Sequence, residues 1–136
     1  MDAVFTWPLR VYYEDTDAGG IVFYANYLRF LERARTEWLR AAGVNQHALK
    51  ETSGLLFVVK SLTLDYQAPA VLDDQLLATV NVLKLGKASI LIAQQVLRGD
   101  QVLVSGTVKI GCIGAIDRRP AAIPADILRA MQHNIE

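Results

Sequence analysis

The sequence has few of the residues that most often carry metal, redox or disulfide chemistry. Its 136 residues include one cysteine, Cys112, and two histidines, His47 and His133. A single cysteine excludes an internal disulfide framework and fits a reducing compartment. The two histidines lack the close spacing typical of a metal site, and no Gly-Xaa-Ser-Xaa-Gly nucleophile motif occurs. We therefore expect no metal, no redox cofactor and no serine nucleophile.

The sequence also has no excess of either charge and no long apolar run. Lys and Arg number 14, as do Asp and Glu, so the formal net charge is zero and gives no argument for binding nucleic acid or an anionic membrane. The N-terminal residues do not resemble a signal peptide, and no stretch approaches the length of a membrane span. With 52% apolar residues, we expect one soluble, cytoplasmic domain over residues 1–136.

The most informative segment runs from Tyr12 to Arg40. Asp17 stands two residues before the Gly19-Gly20 pair, and a long amphipathic helix is predicted to begin near Tyr24. A helix N-terminus offers unpaired N–H groups to a carbonyl oxygen, and a nearby carboxylate can attack or activate water. An aspartate before glycine is also common in simple turns. The complete segment, with a helix behind it, favours acyl chemistry over a simple turn.

Apolar periodicity predicts one long helix and several strands. Steps of three and four from Tyr27 through Leu28, Leu31, Ala34, Trp38, Ala41 and Ala42 define a helical face that ends at Gly43. Alternating residues in the second half predict four long strands, which we expect to form an antiparallel meander covered on both faces. The predicted elements are a strand Leu9–Tyr13, a helix Tyr24–Ala42, a helical turn Asn45–Glu51, strands Val58–Gln67, Gln75–Lys84, Ser89–Leu97 and Val102–Ile110, and a helix Ala125–His133.

Two stretches, Asp15–Tyr27 and Phe30–Leu39, resemble the signature of hotdog-fold acyl-CoA thioesterases. The resemblance is to the 4-hydroxybenzoyl-CoA thioesterase-like group and its Tol–Pal-associated members, and it extends through Asp65–Ala70 and Asp74. It implies an α+β hotdog fold, in which a five-stranded antiparallel sheet wraps a long central helix. It also implies hydrolysis of acyl-CoA thioesters to a carboxylate and free coenzyme A, with coenzyme A as part of the substrate and no cofactor.

The resemblance further implies roles for particular positions. Asp17 corresponds to the catalytic carboxylate, acting either as nucleophile or as general base, and the backbone N–H near Tyr24 polarises the thioester carbonyl. Tol–Pal-associated members often carry histidine where this chain has Tyr24, which leaves the acyl group open. The implied substrate-binding positions, for the acyl group and for the coenzyme A phosphates, are Gly20, Ile21, Val22, Phe23, Asn26, Val58, Val59, Lys87, Arg118 and Arg119.

Three other carboxylates compete for a catalytic role. Asp15 is either a like-charge neighbour of Asp17, if the segment is extended, or a partner of the backbone or of basic helix residues, and we favour the second interpretation. Glu37 has Arg33 at i,i+4. Glu32 also has arginines nearby in sequence. We therefore interpret both glutamates as structural.

Two other functions remain as alternatives. One is a hotdog hydratase or dehydratase acting on acyl thioesters, although no histidine occurs between Tyr12 and Ala42. The other is non-catalytic binding to acyl carrier protein. In either case, we expect at least a homodimer, because one wrapped helix leaves an open sheet edge, and hotdog relatives commonly pair dimers into tetramers.

Overall fold

A long helix lies across one face of a five-stranded antiparallel sheet in the computed structural model, which describes residues 4–132. This arrangement confirms the predicted α+β class with a sheet around a central helix. The elements are β1 Phe5–Arg10, α1 Tyr27–Ala41, α2 Gln46–Ser53, β2 Leu55–Tyr66, β3 Gln75–Leu85, β4 Ser89–Arg98, β5 Gln101–Gly114 and α3 Ala125–Gln132. No helix within residues 4–132 is long and apolar enough to cross a membrane.

The strand order in the sheet is β1-β3-β4-β5-β2. Strands β3, β4 and β5 form the predicted meander, but β2 pairs with β5, so the prediction of a four-strand meander is wrong for β2. The connection over residues 67–74 is longer than a tight hairpin, and its end is hydrogen-bonded to Val11 beyond β1. The chain therefore crosses the sheet between β2 and β3, and β1 and β2 become the two edges.

Strand β1 begins and ends earlier than the sequence predicts. It covers Phe5–Arg10 instead of Leu9–Tyr13 and includes Pro8, which an edge strand tolerates because one side of its backbone donates no sheet hydrogen bonds. After Arg10 the chain leaves the sheet and forms a 3-10 turn over Tyr13–Asp15. The segment before Asp17 is therefore not extended.

The central helix has the predicted position and a shifted apolar face. A 3-10 turn over Tyr24–Asn26 precedes α1, and Gly43, with φ of 84°, follows its end as predicted. Leu28 and Ala41 were expected on the buried face but are exposed. The buried side chains of α1 are Tyr27, Phe30, Leu31, Ala34, Trp38 and Leu39.

A buried polar side chain joins α1 to the sheet. Gln94 on β4 is 1% exposed. Its Nε2 donates to the carbonyls of Leu31 and Thr79, both at 3.1 Å, and its Oε1 accepts from Arg35 Nη1 at 3.0 Å. A buried amide without partners would be destabilising, so these bonds specify where α1 lies on β3 and β4.

The two short helices, α2 and α3, lie where the sequence predicts them. Helix α2 is longer than the predicted turn and begins after Asn45, whose Oδ1 accepts from Ala48 N at 3.0 Å. Pro124 precedes α3, which fits the preference for proline at a helix start. The predicted end of that helix at His133 lies outside the described residues.

Candidate active site

Asp17 occupies a tight turn that is closed by an isolated antiparallel bridge between Thr16 and Val22. Its N–H donates to the Ile21 carbonyl at 2.9 Å, and its own carbonyl accepts from Gly20 N at 3.0 Å. Gly20 has φ of 81°, which glycine adopts without strain. Asp17 Oδ1 accepts from Gly19 N at 2.8 Å, whereas Oδ2 receives no hydrogen bond from residues 4–132. The turn therefore holds an exposed carboxylate with one oxygen available.

The neighbouring Asp15 is buried and structural. Its Oδ2 accepts from Tyr12 N and its Oδ1 from Asn26 Nδ2, both at 2.9 Å. These bonds confirm the favoured interpretation that Asp15 bonds the backbone, and the partner in the helix region is Asn26 instead of a basic residue. Asp15 and Asn26 together connect the Asp17 turn to the start of the helix.

The 3-10 turn that leads into α1 provides backbone N–H groups without a hydrogen-bond acceptor. The N–H groups of Tyr24 and Ala25 have no acceptor among the described residues, as expected for the start of a helix. Asp17, Phe23, Ala25 and Asn26 line one hollow of about 380 Å³, together with Glu14, Thr16 and Arg29. The structure therefore brings the carboxylate of Asp17 and the helix start into one hollow. A carbonyl group at this position would have a carboxylate and backbone donors within the same space.

A second hollow, of about 350 Å³, has Tyr24 in its wall, whereas Tyr24 does not line the hollow that contains Asp17. Its wall is mainly apolar and aromatic and consists of Ile21, Val22, Tyr24, Tyr27, Tyr66, Gln67, Ala68 and Pro69. Tyr66 OH donates to the Tyr24 carbonyl at 3.0 Å. Burial raises the pKa of Tyr27 and of Tyr66, and the nearby Tyr24 raises the pKa of Tyr66 further. Both phenols therefore stay neutral at physiological pH.

Val58 and Val59 lie apart from these hollows in the single protomer. They line a cavity of about 270 Å³ between α1 and the sheet, and this cavity shares no wall residue with either hollow. The sequence resemblance placed Ile21, Val22, Phe23, Val58 and Val59 around one acyl pocket. Within one protomer the structure distributes them among three spaces.

The predicted phosphate-binding residues are also distant from Asp17 in one protomer. Lys87 lies in the β3–β4 turn, and its carbonyl accepts from Ile123 N. Arg118 and Arg119 follow β5, close to the same end of the sheet. The turn with Asp17 lies at the opposite end, where Ile21 bridges Val71 before β3. The 11 residues of β3 separate the two ends by roughly 35 Å.

The other side chains considered for catalysis or metal binding, among the described residues, lie outside the hollow that contains Asp17. Glu37 pairs with Arg40 at 2.8 Å, so the predicted pairing with Arg33 is wrong. Glu32 accepts from the Thr36 hydroxyl at 3.0 Å. Cys112 is buried, which raises the pKa of its thiol, and His47 is exposed on α2. Residues 4–132 contain no group of three His, Cys, Asp or Glu side chains able to hold a metal ion.

Two arginines, one in the Asp17 hollow and one beside the segment before β3, were not identified from the sequence. Arg29 lines the same hollow as Asp17, and its position one helical turn after Asn26 was the available signal. Arg98 donates to Asp74 Oδ2 at 2.6 Å and to the Pro69 carbonyl at 3.3 Å. It thereby joins β4 to the segment before β3, and no local pattern indicates this contact.

Comparisons with known proteins identify the family and the fold. Residues 11–131 match the model of the thioesterase-like superfamily. The chain is 44% identical to an acyl-CoA thioesterase, YbgC, of Haemophilus influenzae, over 98% of both chains. It is 40% identical to an acyl-CoA thioester hydrolase, YbgC, of Escherichia coli, over 92% of this chain and 93% of that one.

The fold of the chain is also similar to that of a solved structure. A probable thioesterase from Bartonella henselae superimposes with a TM-score of 0.86 and 34% identity, covering 90% of this chain and all of that one. These matches confirm the family and the hotdog fold that the sequence resemblance implied. The chain belongs to the thioesterase-like superfamily of hotdog-fold proteins.

Proposed function

We propose that this chain hydrolyses acyl-CoA thioesters at the hollow that contains Asp17 and the helix start. Membership of the superfamily and the two relatives that are acyl-CoA thioester hydrolases support the reaction class. The observation that carries the assignment of the site is that Asp17 lines one hollow with Ala25 and Asn26, which belong to the 3-10 turn before α1. Asp17 has one oxygen without a hydrogen bond, and Tyr24 and Ala25 have unpaired N–H groups.

The carboxylate serves one of two routes. As a nucleophile, Asp17 Oδ2 forms a bond to the thioester carbon, the carbon–sulfur bond breaks, and coenzyme A leaves as the thiolate. Water then hydrolyses the resulting anhydride and restores Asp17. As a general base, Asp17 takes a proton from water while the water oxygen attacks the same carbon; the carbon–sulfur bond then breaks, and coenzyme A leaves as the thiolate, which takes up a proton. Both routes yield the free carboxylate and coenzyme A and need no metal or redox cofactor.

The helix start stabilises the oxygen that becomes negative in either route. The Tyr24 N–H is free of an internal partner, and the partial positive charge at the beginning of the helix acts in the same direction. Loss of one such donor typically reduces turnover about 100- to 1,000-fold. The Tyr24 side chain is 65% exposed and is not required for this role.

A complete substrate site requires a second copy of the chain. Asp17 and the basic residues Lys87, Arg118 and Arg119 lie at opposite ends of one sheet, so they meet one coenzyme A only when they come from different protomers. Strand β2 is the edge available for pairing, because β1 contains Pro8. The apolar side chains exposed on β2 include Val59, Leu62 and Tyr66. We therefore propose a homodimer; pairing of dimers into a tetramer stays a prediction.

Replacement of Asp17 tests the proposal directly. Thiol release from a panel of short, long and aromatic acyl-CoAs should be lost in Asp17→Asn and Asp17→Ala. Glu14→Gln is the matched control, because Glu14 lines the same hollow and loses the same charge. It should stay within a few fold of wild type. Near-wild-type turnover in Asp17→Ala would contradict the assignment, as would an equal loss in Glu14→Gln.

Single turnover in heavy-oxygen water tests for the nucleophilic route. If Asp17 attacks the carbonyl and water cleaves the anhydride at the enzyme's carbonyl, the label enters the Asp17 carboxylate. Label in the product alone is expected when water attacks the thioester directly and also when it cleaves the anhydride at the substrate's carbonyl, so label in Asp17 is the diagnostic result. Incubation with a chelator should leave turnover unchanged, since no step uses a metal.

A further inference from the structure

The cavity between α1 and the sheet contains a cation without a carboxylate partner. The apolar part of its wall comes from Trp38, Leu39, Phe57, Val58, Val59, Ile90 and Ile110. Its polar part includes Arg35, Glu32 and Thr36, all on α1. The described residues form two ion pairs, Arg40–Glu37 and Arg98–Asp74, and neither includes Arg35.

A hydrogen bond to Gln94 on β4 fixes the position of the Arg35 guanidinium. Its Nη1 donates to Oε1 of the fully buried Gln94, whose amide nitrogen is bonded to two backbone carbonyls. This neutral partner uses one of the five donors of the guanidinium. Burial lowers the pKa of the Arg35 guanidinium, and Glu32 partly opposes this. The other donors of this partly dehydrated cation form no ion pair among the described residues, and Glu32 is the one carboxylate that acts on it.

The cavity lies on the same helix face as the proposed catalytic hollow. Arg29 lines the hollow with Asp17, whereas Glu32 and Thr36 line the cavity. Positions separated by three and four residues share one face of a helix. Seven residues along α1 correspond to about 10 Å. The two spaces share no wall residue, so an acyl group from Asp17 would follow the exposed surface of α1 for about 10 Å to bring its far end to the cavity.

We propose that Arg35 is a specificity-determining residue that selects acyl groups carrying a carboxylate at the end far from the thioester. This inference rests on the proposed function and names its substrate class. The apolar wall packs against the methylene chain, and the planar guanidinium pairs with the carboxylate through two parallel hydrogen bonds. Glu32 opposes an anionic ligand, but it is exposed and bonded to Thr36, so the more deeply placed Arg35 dominates.

Binding of unreactive thioethers tests this without turnover. Calorimetry would compare coenzyme A S-alkylated with chains that end in a carboxylate or in a methyl group, at matched lengths from five to ten carbons. We expect wild type to bind the carboxylate form tenfold or more tightly at the best length. Arg35→Met should abolish this preference, and Arg35→Lys should restore part of it because the charge is retained.

Two further variants make the test specific. Arg33→Met removes the same charge from an exposed position on the same helix and should leave the preference unchanged. Glu32→Gln should increase it, because the repulsive carboxylate is gone. Equal binding of both thioethers by wild type, or a preference that survives in Arg35→Met, would overturn the proposal. Because two ligands are compared on one preparation, partial unfolding of a variant does not alter the ratio.

Turnover of octanoyl-CoA and suberoyl-CoA distinguishes the two proposals. Asp17-dependent release of thiol from octanoyl-CoA, with no preference for suberoyl-CoA in wild type, would support the proposed function and overturn the role of Arg35. The thioether preference without any thiol release would support Arg35 as a ligand-binding residue and contradict the hydrolase mechanism.

Discussion

The side-chain amide of Asn26 donates a hydrogen bond of 2.9 Å to the buried carboxylate of Asp15. The other Asp15 oxygen accepts from Tyr12 N, and the Asp15 carbonyl accepts from Phe23 N. One residue thus bonds both to the loop before the Asp17 turn and to the residues at the helix start. The position of the Asp17 carboxylate relative to the proposed oxyanion donors depends on this connection.

Replacement of Asn26 should therefore reduce kcat more than another substitution that destabilises the protein by a similar amount. Asn26→Ala leaves a buried carboxylate oxygen without its donor and should lower the free energy of unfolding by about 1–3 kcal/mol. It should also reduce kcat because the Asp17 turn shifts relative to the helix. Asn45→Ala, which removes the cap of α2 at a cost of about 1 kcal/mol, is the control. An equal effect of both variants on kcat would contradict the positioning role.

Substitutions of Tyr24 distinguish a catalytic role of its backbone N–H from a role of its phenol side chain. Phe23 has φ of −60° and ψ of 132°, a conformation that a following proline favours, and proline is tolerated in the first turn of a helix. Tyr24→Pro therefore removes the N–H with little change of backbone. We expect kcat to fall about 100-fold or more, whereas Tyr24→Ala, which keeps the N–H, should stay within a few fold. The reverse order would assign the role to the phenol.

Mixed dimers test whether each site uses two protomers. Reversing the charge of Lys87, Arg118 and Arg119 together should raise the Michaelis constant more than it lowers turnover. Co-expression of this variant with Asp17→Asn produces mixed dimers, each with one intact site if the cations come from the partner. At low substrate concentration, random mixing should restore about a quarter of wild-type activity. Activity no greater than that of the two separate variants would place all residues of the site in one protomer.

Ionisation of the Tyr27 phenol should lower the free energy of unfolding at alkaline pH. Its hydroxyl accepts from Ala70 N at 2.9 Å, and burial raises its pKa above the ordinary value of 10.0. The unfolded chain therefore loses this proton at lower pH than the folded protein. The associated stability is complete below pH 10.0 and is lost as the pH rises through the folded-state pKa.

Tyr27→Phe should lower the free energy of unfolding by about 1 kcal/mol at neutral pH and flatten its decline at alkaline pH. Urea unfolding from about pH 8 to about pH 11 measures both effects. Tyr13→Phe is the control, since Tyr13 is 81% exposed and should change neither. An unaltered alkaline slope in Tyr27→Phe would show that this phenol does not cause it.

Local patterns predicted most of the elements because the relevant interactions are close in sequence. Alternation in Ser89–Leu97 reflects the two faces of one strand, and Gly43 and Gly99 mark chain reversals through their own backbone conformations. The Asp17-Gly19-Gly20 turn is equally local, since its hydrogen bonds join residues within four positions. These features required no knowledge of the rest of the chain.

Contacts between distant segments were not predictable in this way. Pairing of β2 with β5 depends on where the connection over residues 67–74 is anchored, and that anchor is Val11. The bonds of Gln94 to Arg35 and of Arg98 to Asp74 join residues far apart in sequence. Because such contacts arise only when packed elements bring side chains together, no spacing rule indicates them.

The sequence by itself determined the central helix, the strands β3 to β5 and the glycine turn that presents Asp17, because each depends on short-range backbone conformation and on apolar periodicity. Only the tertiary structure decided that Asp15 is buried beneath that turn and that Arg35 faces an apolar cavity. It also showed that Lys87, Arg118 and Arg119 lie at the far end of the sheet from Asp17. The physical reason is that burial and long-range distance are properties of packed elements, and a local pattern contains neither.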